Sequence, residues 1–99
     1  MTDLSDPDLF ATKVFRALGD PTRYRIVQML AEQGELSCGE LQASFPLSAP
    51  ALSHHFRILQ DSGLIAVRKE GTYHFFRLRR EVVEKYAPTL MPKEMSSLT

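Results

Sequence analysis

Apolar residues recur at helical spacing in five stretches of the chain and alternate with polar residues in one stretch near its C-terminal end. The first helical stretch runs from about residue 8 to 18 and stops at Gly19, and the second begins at Asp20 and Pro21 and stops before Gly34. An aspartate can accept hydrogen bonds from the free amides of a first helical turn, and proline is tolerated there because that turn needs no amide partner. The pattern therefore predicts two consecutive helices.

A third, shorter helix and a last helix follow from the same spacing. The third is predicted from about residue 37 to 45, with Ser37 as its N-terminal cap and Pro46 as its end. The last is predicted from residue 80 to about 90. Pro88 is expected to end or kink that helix early, because proline has no amide hydrogen to donate.

The fourth helix, predicted over residues 48–62, has two contrasting faces. It opens with a capping hydroxyl ahead of a first-turn proline, at Ser48-Ala49-Pro50, and Gly63 ends it. Its inner face is apolar, at positions i, i+4 and i+7: Leu52, Phe56 and Leu59. Its outer face is polar and basic: Ser53, His54, Arg57 and Gln60.

After Gly63 the apolar period changes to two. Residues 64–69 and 73–79 alternate, and Glu70-Gly71-Thr72 turns the chain between them, so a β-hairpin is predicted over residues 64–79. The resulting order α-α-α-α-β-β-α is mainly α with a small β part, an α+β fold. It places two short helices directly before a hairpin. That order predicts a winged helix-turn-helix, in which the hairpin is the wing.

The composition is that of one compact globular domain. A chain of 99 residues can bury a single modest core, and 43% hydrophobic residues place it outside the disordered class. We therefore expect one domain over residues 1–99, ordered from about 8 to 90, with a frayed tail from residue 91. The single cysteine, Cys38, cannot form an internal disulfide, and the acidic start is unlike a secretory signal. A reducing cytoplasm is therefore the expected location. No apolar run approaches the roughly 20 residues of a membrane span, so no association with a membrane is expected.

The charge is balanced overall but unevenly distributed. A net charge of zero alone argues against a nucleic-acid partner, since phosphates are neutralised by Lys and Arg. However, residues 1–20 carry four Asp against two basic residues, whereas residues 54–80 carry six Lys or Arg against Asp61 and Glu70. This asymmetry concentrates positive potential in one region, as expected of a modest DNA binder. The alternative is an uneven but solvated surface.

Three segments resemble one known family. They read ALGDPTRYRIVQML, SAPALSHHFRILQDSGLI and KEGTYHFFRL, and their order and distances are similar to those of the ArsR/SmtB family of bacterial repressors. The resemblance covers roughly residues 8–90. It implies a repressor that binds double-stranded operator DNA as a homodimer. It also implies an inverted-repeat operator, because a twofold dimer sets two recognition helices about one DNA turn apart.

Pattern and resemblance together predict DNA contacts from the fourth helix and the wing, since a helix fits the major groove and a hairpin reaches the adjacent backbone or minor groove. The predicted DNA-binding residues are Ser48, Ala49, Pro50, Ser53, His54 and Arg57 on the helix and Arg68, Lys69, Gly71, Thr72 and Tyr73 on the wing. Arg57 is expected on phosphate or guanine, and the serines and His54 on base edges or phosphates. For Arg68 and Lys69 the alternative is a solvated strand edge that discourages aggregation. His55 is expected at the core edge in a structural role.

The first and last helices carry more apolar residues than the core of so small a domain should need, and such a patch left exposed would be a liability. The family resemblance places both helices at a twofold interface. The predicted interface residues are Leu9, Phe10, Val14, Val82, Val83, Tyr86 and Leu90, with Phe15 beside them. The alternative is that these residues simply cover the core of the monomer.

The metal sites that many members of the family carry are missing from this sequence. The family's third-helix motif reads ELCVCDL, whereas residues 35–41 read ELSCGEL, so Ser37 and Gly39 stand where two cysteines would bind a soft metal ion. The family's other site uses Asp and His on the last helix, and residues 80–90 contain neither. We therefore predict no metal and no cofactor. Cys38 is either a small buried hydrophobe or a redox-sensitive thiol.

Other functional classes fit the sequence less well. An enzyme is not expected, because there is no glycine-rich phosphate loop, no nucleophile elbow and no carboxylate pair beyond ordinary surface spacing. A winged helix that binds protein instead of DNA would need an apolar or acidic recognition face. A repressor that leaves DNA on oxidation of Cys38, or on binding a small ligand, is a variant of the DNA-binding hypothesis. The sequence does not identify an effector.

Overall fold

The computed structural model describes residues 6–92. The helices are α1 (Asp6–Leu18), α2 (Pro21–Gln33), α3 (Cys38–Ala43), α4 (Ala49–Asp61) and α5 (Arg80–Tyr86), with a 3₁₀ turn at Pro88–Leu90. The strands are β1 (Leu36–Ser37), β2 (Ile65–Glu70) and β3 (Tyr73–Leu78). The predicted fraying concerns the tail from residue 91, of which residues 93–99 lie outside the described residues. Residues 1–5, among them Asp3, lie outside them as well. Within residues 6–92, no helix is long and apolar enough to cross a membrane.

The helix starts are held by side-chain caps, as the sequence predicted. The Asp20 carboxylate accepts hydrogen bonds from the amides of Thr22 at 2.9 Å and Arg23 at 3.1 Å. Ser37 and Glu40 form a reciprocal capping box, in which the Glu40 amide donates to Ser37 Oγ at 3.0 Å and the Ser37 amide donates to Glu40 Oε1 at 2.8 Å. These bonds satisfy first-turn amides that have no partner inside the helix. They therefore fix where α2 and α3 begin.

The wing belongs to a three-stranded antiparallel sheet in the order β1-β3-β2. The hairpin pairs Ile65 with Leu78 at its base and Glu70 with Tyr73 at its tip. β1, which pairs Leu36 with Phe76, was not predicted from the sequence, since two residues are too few to show an alternating pattern. This short strand ties the middle of β3 to the connection between α2 and α3.

One hydrophobic core joins the helices to the sheet. The Phe56 ring of α4 stacks on the Phe76 ring of β3, with centroids 4.3 Å apart. Fully buried side chains from all five helices, and Leu64 just before β2, complete this core. The largest are Val14, Ile26, Val27, Leu30, Leu41, Leu52, Leu59, Leu64 and Val83. The position of α4 is therefore set by packing on its inner face.

The structure corrects part of the predicted dimer surface. Val14 and Val83 have no exposed area, and Val82 and Leu90 are only 8% and 7% exposed. These four side chains already belong to the core of a single chain, so they offer almost no surface to a partner. For these four residues the burial favours the alternative interpretation, that the apolar stripes cover the monomer core.

Candidate nucleic-acid interface

Helix α4 presents a polar face to solvent because its apolar face is used by the core. Leu52 and Leu59 are 1% and 0% exposed, whereas Ser53, His54 and Arg57 are exposed. Successive helical residues are about 100° apart, so burial of the leucines fixes the direction of the polar side chains. The structure thus places three of the six predicted contact residues of this helix, Ser53, His54 and Arg57, on one accessible surface.

The N-terminal end of α4 is capped by Ser48. Its Oγ accepts a hydrogen bond from the Ala51 amide at 3.2 Å. A serine hydroxyl that accepts in this way still has its own hydrogen to donate. Ala49 and Pro50 are exposed in the same first turn. The helix end therefore leaves one hydroxyl donor and an open backbone surface for a partner.

His55 lies on the inward side of α4, at the edge of the core, where the sequence placed it. Its Nδ1 is 3.1 Å from the Arg23 guanidinium and 3.8 Å from the Asp20 carboxylate. Burial raises the pKa of Asp20, but hydrogen bonds from the amides of Arg23 and Thr22 and the charge of Arg23 outweigh burial and hold that pKa below its usual value of 3.8. His55 is thus engaged inside the chain, while its neighbour His54 is exposed.

A groove of about 350 Å³ lies between α4 and the wing. Arg57 enters it from the helix and Lys69 from β2, so two cationic side chains from different elements share one concave surface. Its lining comprises Cys38, Ser53, Phe56, Arg57, Gln60, Val67, Lys69, His74 and Phe76. Gln60 and His74 were not among the predicted contacts. His74 pairs with Lys69 across the hairpin. A two-residue turn at Gly71-Thr72 implies this strand register, so His74 could have been predicted to lie beside Lys69.

The tip of the wing is a two-residue turn formed by Gly71 and Thr72. Gly71 has a positive φ of 62°, and within residues 6–92 no residue other than glycine has a positive φ. A positive φ at the first turn residue alone is the pattern of a type II′ hairpin turn, which suits the twist of the strands. Tyr73 follows directly and is 67% exposed. The tip therefore projects an open backbone and an aromatic ring into solvent.

Arg68 points away from the groove toward two carboxylates. Its guanidinium donates to Glu35 Oε1 at 2.8 Å and to Glu70 Oε1 at 3.0 Å, and it lies 4.5 Å from the centroid of the Phe75 ring. Hydrogen bonds from Arg68 lower the pKa of Glu35 despite some desolvation, and Arg77 adds to the lowering. The pKa of Arg68 is raised by its hydrogen bonds to Glu35 and Glu70. Two interpretations of Arg68 were open, a phosphate contact and a solvated strand edge, and the structure instead pairs its guanidinium with two carboxylates of the same chain.

Comparisons with known proteins agree with this geometry. A family model described as a helix-turn-helix domain matches residues 18–68. The transcriptional repressor SdpR of Bacillus subtilis (strain 168) is 32% identical over 71 residues, which cover 72% of this chain and 78% of SdpR. The solved structure of an ArsR-like transcriptional regulator from Rhodococcus sp. RHA1 has a TM-score of 0.74 at 28% identity, covering 94% of this chain and 85% of that one. The chain belongs to the ArsR/SmtB family.

A third similar protein adds information on assembly. It is a homodimeric winged helix-turn-helix DNA-binding domain from Mycobacterium bovis, described as a possible ArsR-family transcriptional regulator. Its TM-score is 0.73 at 26% identity, and the match covers 90% of this chain and 86% of that one. The winged helix-turn-helix predicted from the sequence is thus confirmed.

In this ArsR/SmtB protein, other residues with other roles occupy the two positions at which the family motif carries cysteines. Ser37 caps α3 through its hydroxyl, and Gly39 is exposed in the first turn of that helix. Cys38, between them, is half-buried and packs against the core. In the part of the chain that the structure describes, no three His, Cys, Asp or Glu side chains are grouped so as to hold a metal ion.

The apolar surface predicted on α1 and α5 is reduced to a small aromatic patch, formed by Leu9, Phe10, Phe15 and Tyr86. The rings of Phe10 and Phe15 lie 5.6 Å and 5.8 Å from that of Tyr86, measured between centroids. Leu9, Phe10 and Phe15 are 44%, 38% and 54% exposed. Of the predicted interface, Leu9, Phe10 and Tyr86 therefore remain accessible to a partner, and Phe15 joins them.

Proposed function

We propose that this chain is a homodimeric repressor that binds an inverted-repeat operator through α4 and the wing. The observation that carries this proposal is the groove in which Arg57 of α4 and Lys69 of β2 converge. A protein-binding winged helix would instead need an apolar or acidic face at this place. Cations from both the helix and the wing suit a DNA backbone that runs between the two elements.

In this proposal α4 enters the major groove. Ser53 and His54 face base edges or phosphates, and Ser48 donates its free hydroxyl hydrogen to a phosphate at the start of the helix. Arg57 binds phosphate or guanine, for which its planar guanidinium is suited. Ala49 and Pro50 allow close approach of the helix end. This part of the interface supplies sequence preference.

The wing supplies backbone contacts. Lys69 neutralises a phosphate in the groove, and His74 and Gln60 line the same surface. Gly71, Thr72 and Tyr73 at the exposed tip reach the neighbouring phosphates or the minor groove. Arg68 contributes indirectly, since Glu35 and Glu70 occupy its guanidinium.

The aromatic patch is the proposed dimer surface. Exposed aromatic and aliphatic side chains that are clustered on one face favour association with a second apolar surface. The homodimeric relative from Mycobacterium bovis supports the same assembly. In a twofold dimer the two α4 helices are related by symmetry, so the operator is expected to be an inverted repeat.

The proposed place of action is the cytoplasm, where operator DNA is accessible, and the proposed role involves no catalysis. Membership in a family of transcriptional regulators supports both statements. Cys38 is proposed as a structural residue, because its side chain packs against the core.

Selection of bound duplexes from a random DNA library tests the proposal. The expected product is a family of sequences with twofold symmetry and half-sites about one helical turn apart, roughly 10 base pairs. A parallel selection with Arg57→Met and Lys69→Met together is the control, and it should enrich nothing. Enrichment of asymmetric sites would contradict the dimeric arrangement, and no enrichment by the native chain would contradict DNA recognition.

A further inference from the structure

Arg23, in the first turn of α2, connects three helices. Its Nε donates to the Ala17 carbonyl at 2.7 Å and its Nη2 to the Arg16 carbonyl at 3.4 Å, both in the last turn of α1. Its Nη1 lies 3.1 Å from Nδ1 of His55 on α4. One side chain therefore links the end of α1 and the start of α2 to the middle of the proposed recognition helix.

The hydrogen bonds to these partners fix the orientation of the Arg23 guanidinium. The last carbonyls of a helix have no amide partners inside it, so they accept hydrogen bonds from an arginine readily. The guanidinium is planar and its donors are fixed relative to one another. Donation to Ala17 and Arg16 therefore determines where the third donor points, and His55 meets it there.

The backbone of Arg23 is held as well. Its amide donates to the Asp20 carboxylate at 3.1 Å, and the same carboxylate lies 3.8 Å from His55 Nδ1. Arginine has no acceptor and is always protonated, so His55 must offer a lone pair at Nδ1 to Arg23. When His55 accepts this bond as a neutral imidazole, its ring hydrogen lies on Nε2.

We propose that Arg23 is a positioning residue for DNA binding, which holds α4 in its reading orientation through His55. The proposal rests on the proposed function. His55 adjoins His54, and their ring centroids are 5.8 Å apart. Because neighbouring helical positions are about 100° apart, an anchor on His55 sets the direction in which His54 and Ser53 leave the helix. Arg23 itself does not touch the DNA.

The test compares four variants on the selected operator by fluorescence anisotropy over a salt titration. Arg23→Met and His55→Leu are each expected to weaken binding about tenfold, the effect of losing one hydrogen bond of this kind. The double variant is expected to lose no more than either single variant, because both remove the same link. Arg25→Met removes an equal charge from an exposed position on the same helix and is expected to bind like the native chain.

Two further readouts separate positioning from other roles. If Arg23 contacted a phosphate, Arg23→Met would make the slope of log affinity against log salt shallower by about 1, whereas a positioning residue leaves the slope unchanged. His55→Asn keeps an acceptor near the place of Nδ1 and is expected to bind within about threefold of the native chain, unlike His55→Leu. Additive losses, a shallower slope or equal weakening by Asn and Leu would overturn the proposal.

Amide hydrogen exchange of α4 keeps this inference distinct from the proposed function. Arg23→Met is expected to accelerate exchange in α4 relative to Arg25→Met, with or without DNA. If the native chain selects no operator, the proposed function fails, and the exchange data alone test whether Arg23 holds α4 through His55. Unchanged exchange in α4 overturns the positioning role even if operator binding by the native chain is confirmed.

Discussion

Arg68 of β2 and Glu35, which precedes β1, are joined by two hydrogen bonds between their charged groups. Arg68 Nη2 lies 2.8 Å from Glu35 Oε1, and Arg68 Nε lies 3.1 Å from Glu35 Oε2. This two-point geometry fixes the plane of the guanidinium as well as its distance. Together with the pairing of Leu36 with Phe76, it holds the wing against the connection that follows α2.

This link predicts how neutral substitutions at its two ends affect DNA binding. Glu35→Gln and Arg68→Met should each weaken operator binding about threefold to tenfold, because either change frees the wing. The double variant should be no weaker than the weaker single variant. Affinities measured by anisotropy for all four chains form the cycle that checks this.

A direct DNA contact by Arg68 would reverse the expected effect of Glu35→Gln on operator affinity. If Arg68 contacted phosphate, removing a competing carboxylate would strengthen binding, and Arg68→Met alone would reduce the salt slope by about 1. Tighter binding by Glu35→Gln would therefore contradict the positioning of the wing by this pair. Glu32→Gln, an exposed glutamate at the end of α2, is the control for loss of one negative charge.

Asp20 predicts a pH-dependent contribution to stability. Asp20→Ala should reduce the free energy of unfolding at pH 7 by about 1 kcal/mol, since it removes the cap of α2, and Asp20→Asn should reduce it less. The pKa of Asp20 is below its usual value in the folded chain, so its charge stabilises the fold fully above that usual value of 3.8, which applies in the unfolded chain. That contribution is lost as pH falls through the folded pKa.

Urea unfolding at pH 7 and near pH 3, at a fixed protein concentration, checks the prediction. The difference between the native chain and Asp20→Ala should shrink at the lower pH. Asp61→Ala, at the exposed end of α4, is the control and should be neutral or slightly stabilising, because a negative charge is unfavourable there. A gap for Asp20→Ala that widens on acidification would refute the direction of this linkage.

The inner face of α4 predicts a large loss of stability on truncation. Leu59 is fully buried, so Leu59→Ala should reduce the free energy of unfolding by about 2 to 5 kcal/mol through lost burial and a residual cavity. Ser53→Ala on the exposed face should change it by less than about 0.5 kcal/mol. Urea unfolding measures both, and similar values for the two variants would show that α4 does not pack as described.

The aromatic patch predicts the state of assembly. Phe15→Glu places a charge beside Tyr86, so it should shift the chain from dimer to monomer in sedimentation equilibrium at micromolar concentration and weaken operator binding. Tyr24→Glu is the matched control, because Tyr24 is a 40% exposed aromatic residue on α2, outside the patch. A dimer that persists in Phe15→Glu but dissociates in Tyr24→Glu would place the interface elsewhere.

Local signals made most of the helices predictable. Asp20, Ser37 and Ser48 each precede a helix and satisfy its first amides, and the spacing of Leu52, Phe56 and Leu59 identifies the buried face of α4. Both kinds of signal depend on residues close together in the sequence. The position of α4 and the face that it buries could therefore be predicted from the sequence.

Features that depend on distant residues were not accessible in the same way. β1 forms only because Leu36 meets Phe76, and the direction of Arg68 depends on Glu35, 33 positions away. The burial of Val14 and Val83 depends on how α1 and α5 pack against the rest of the core. An apolar stripe identifies a buried face but does not show whether the same chain or a second copy covers it.

The affinity of the native chain for DNA from immediately upstream of its own coding region, compared with a scrambled duplex, tests the repressor role most directly. Fluorescence anisotropy between about 50 and 200 mM salt gives both the ratio of affinities and the salt slope. We predict at least about a thousandfold preference for the native duplex and an affinity that falls steeply with salt. Weak and equal binding of both duplexes would contradict a repressor that controls its own gene.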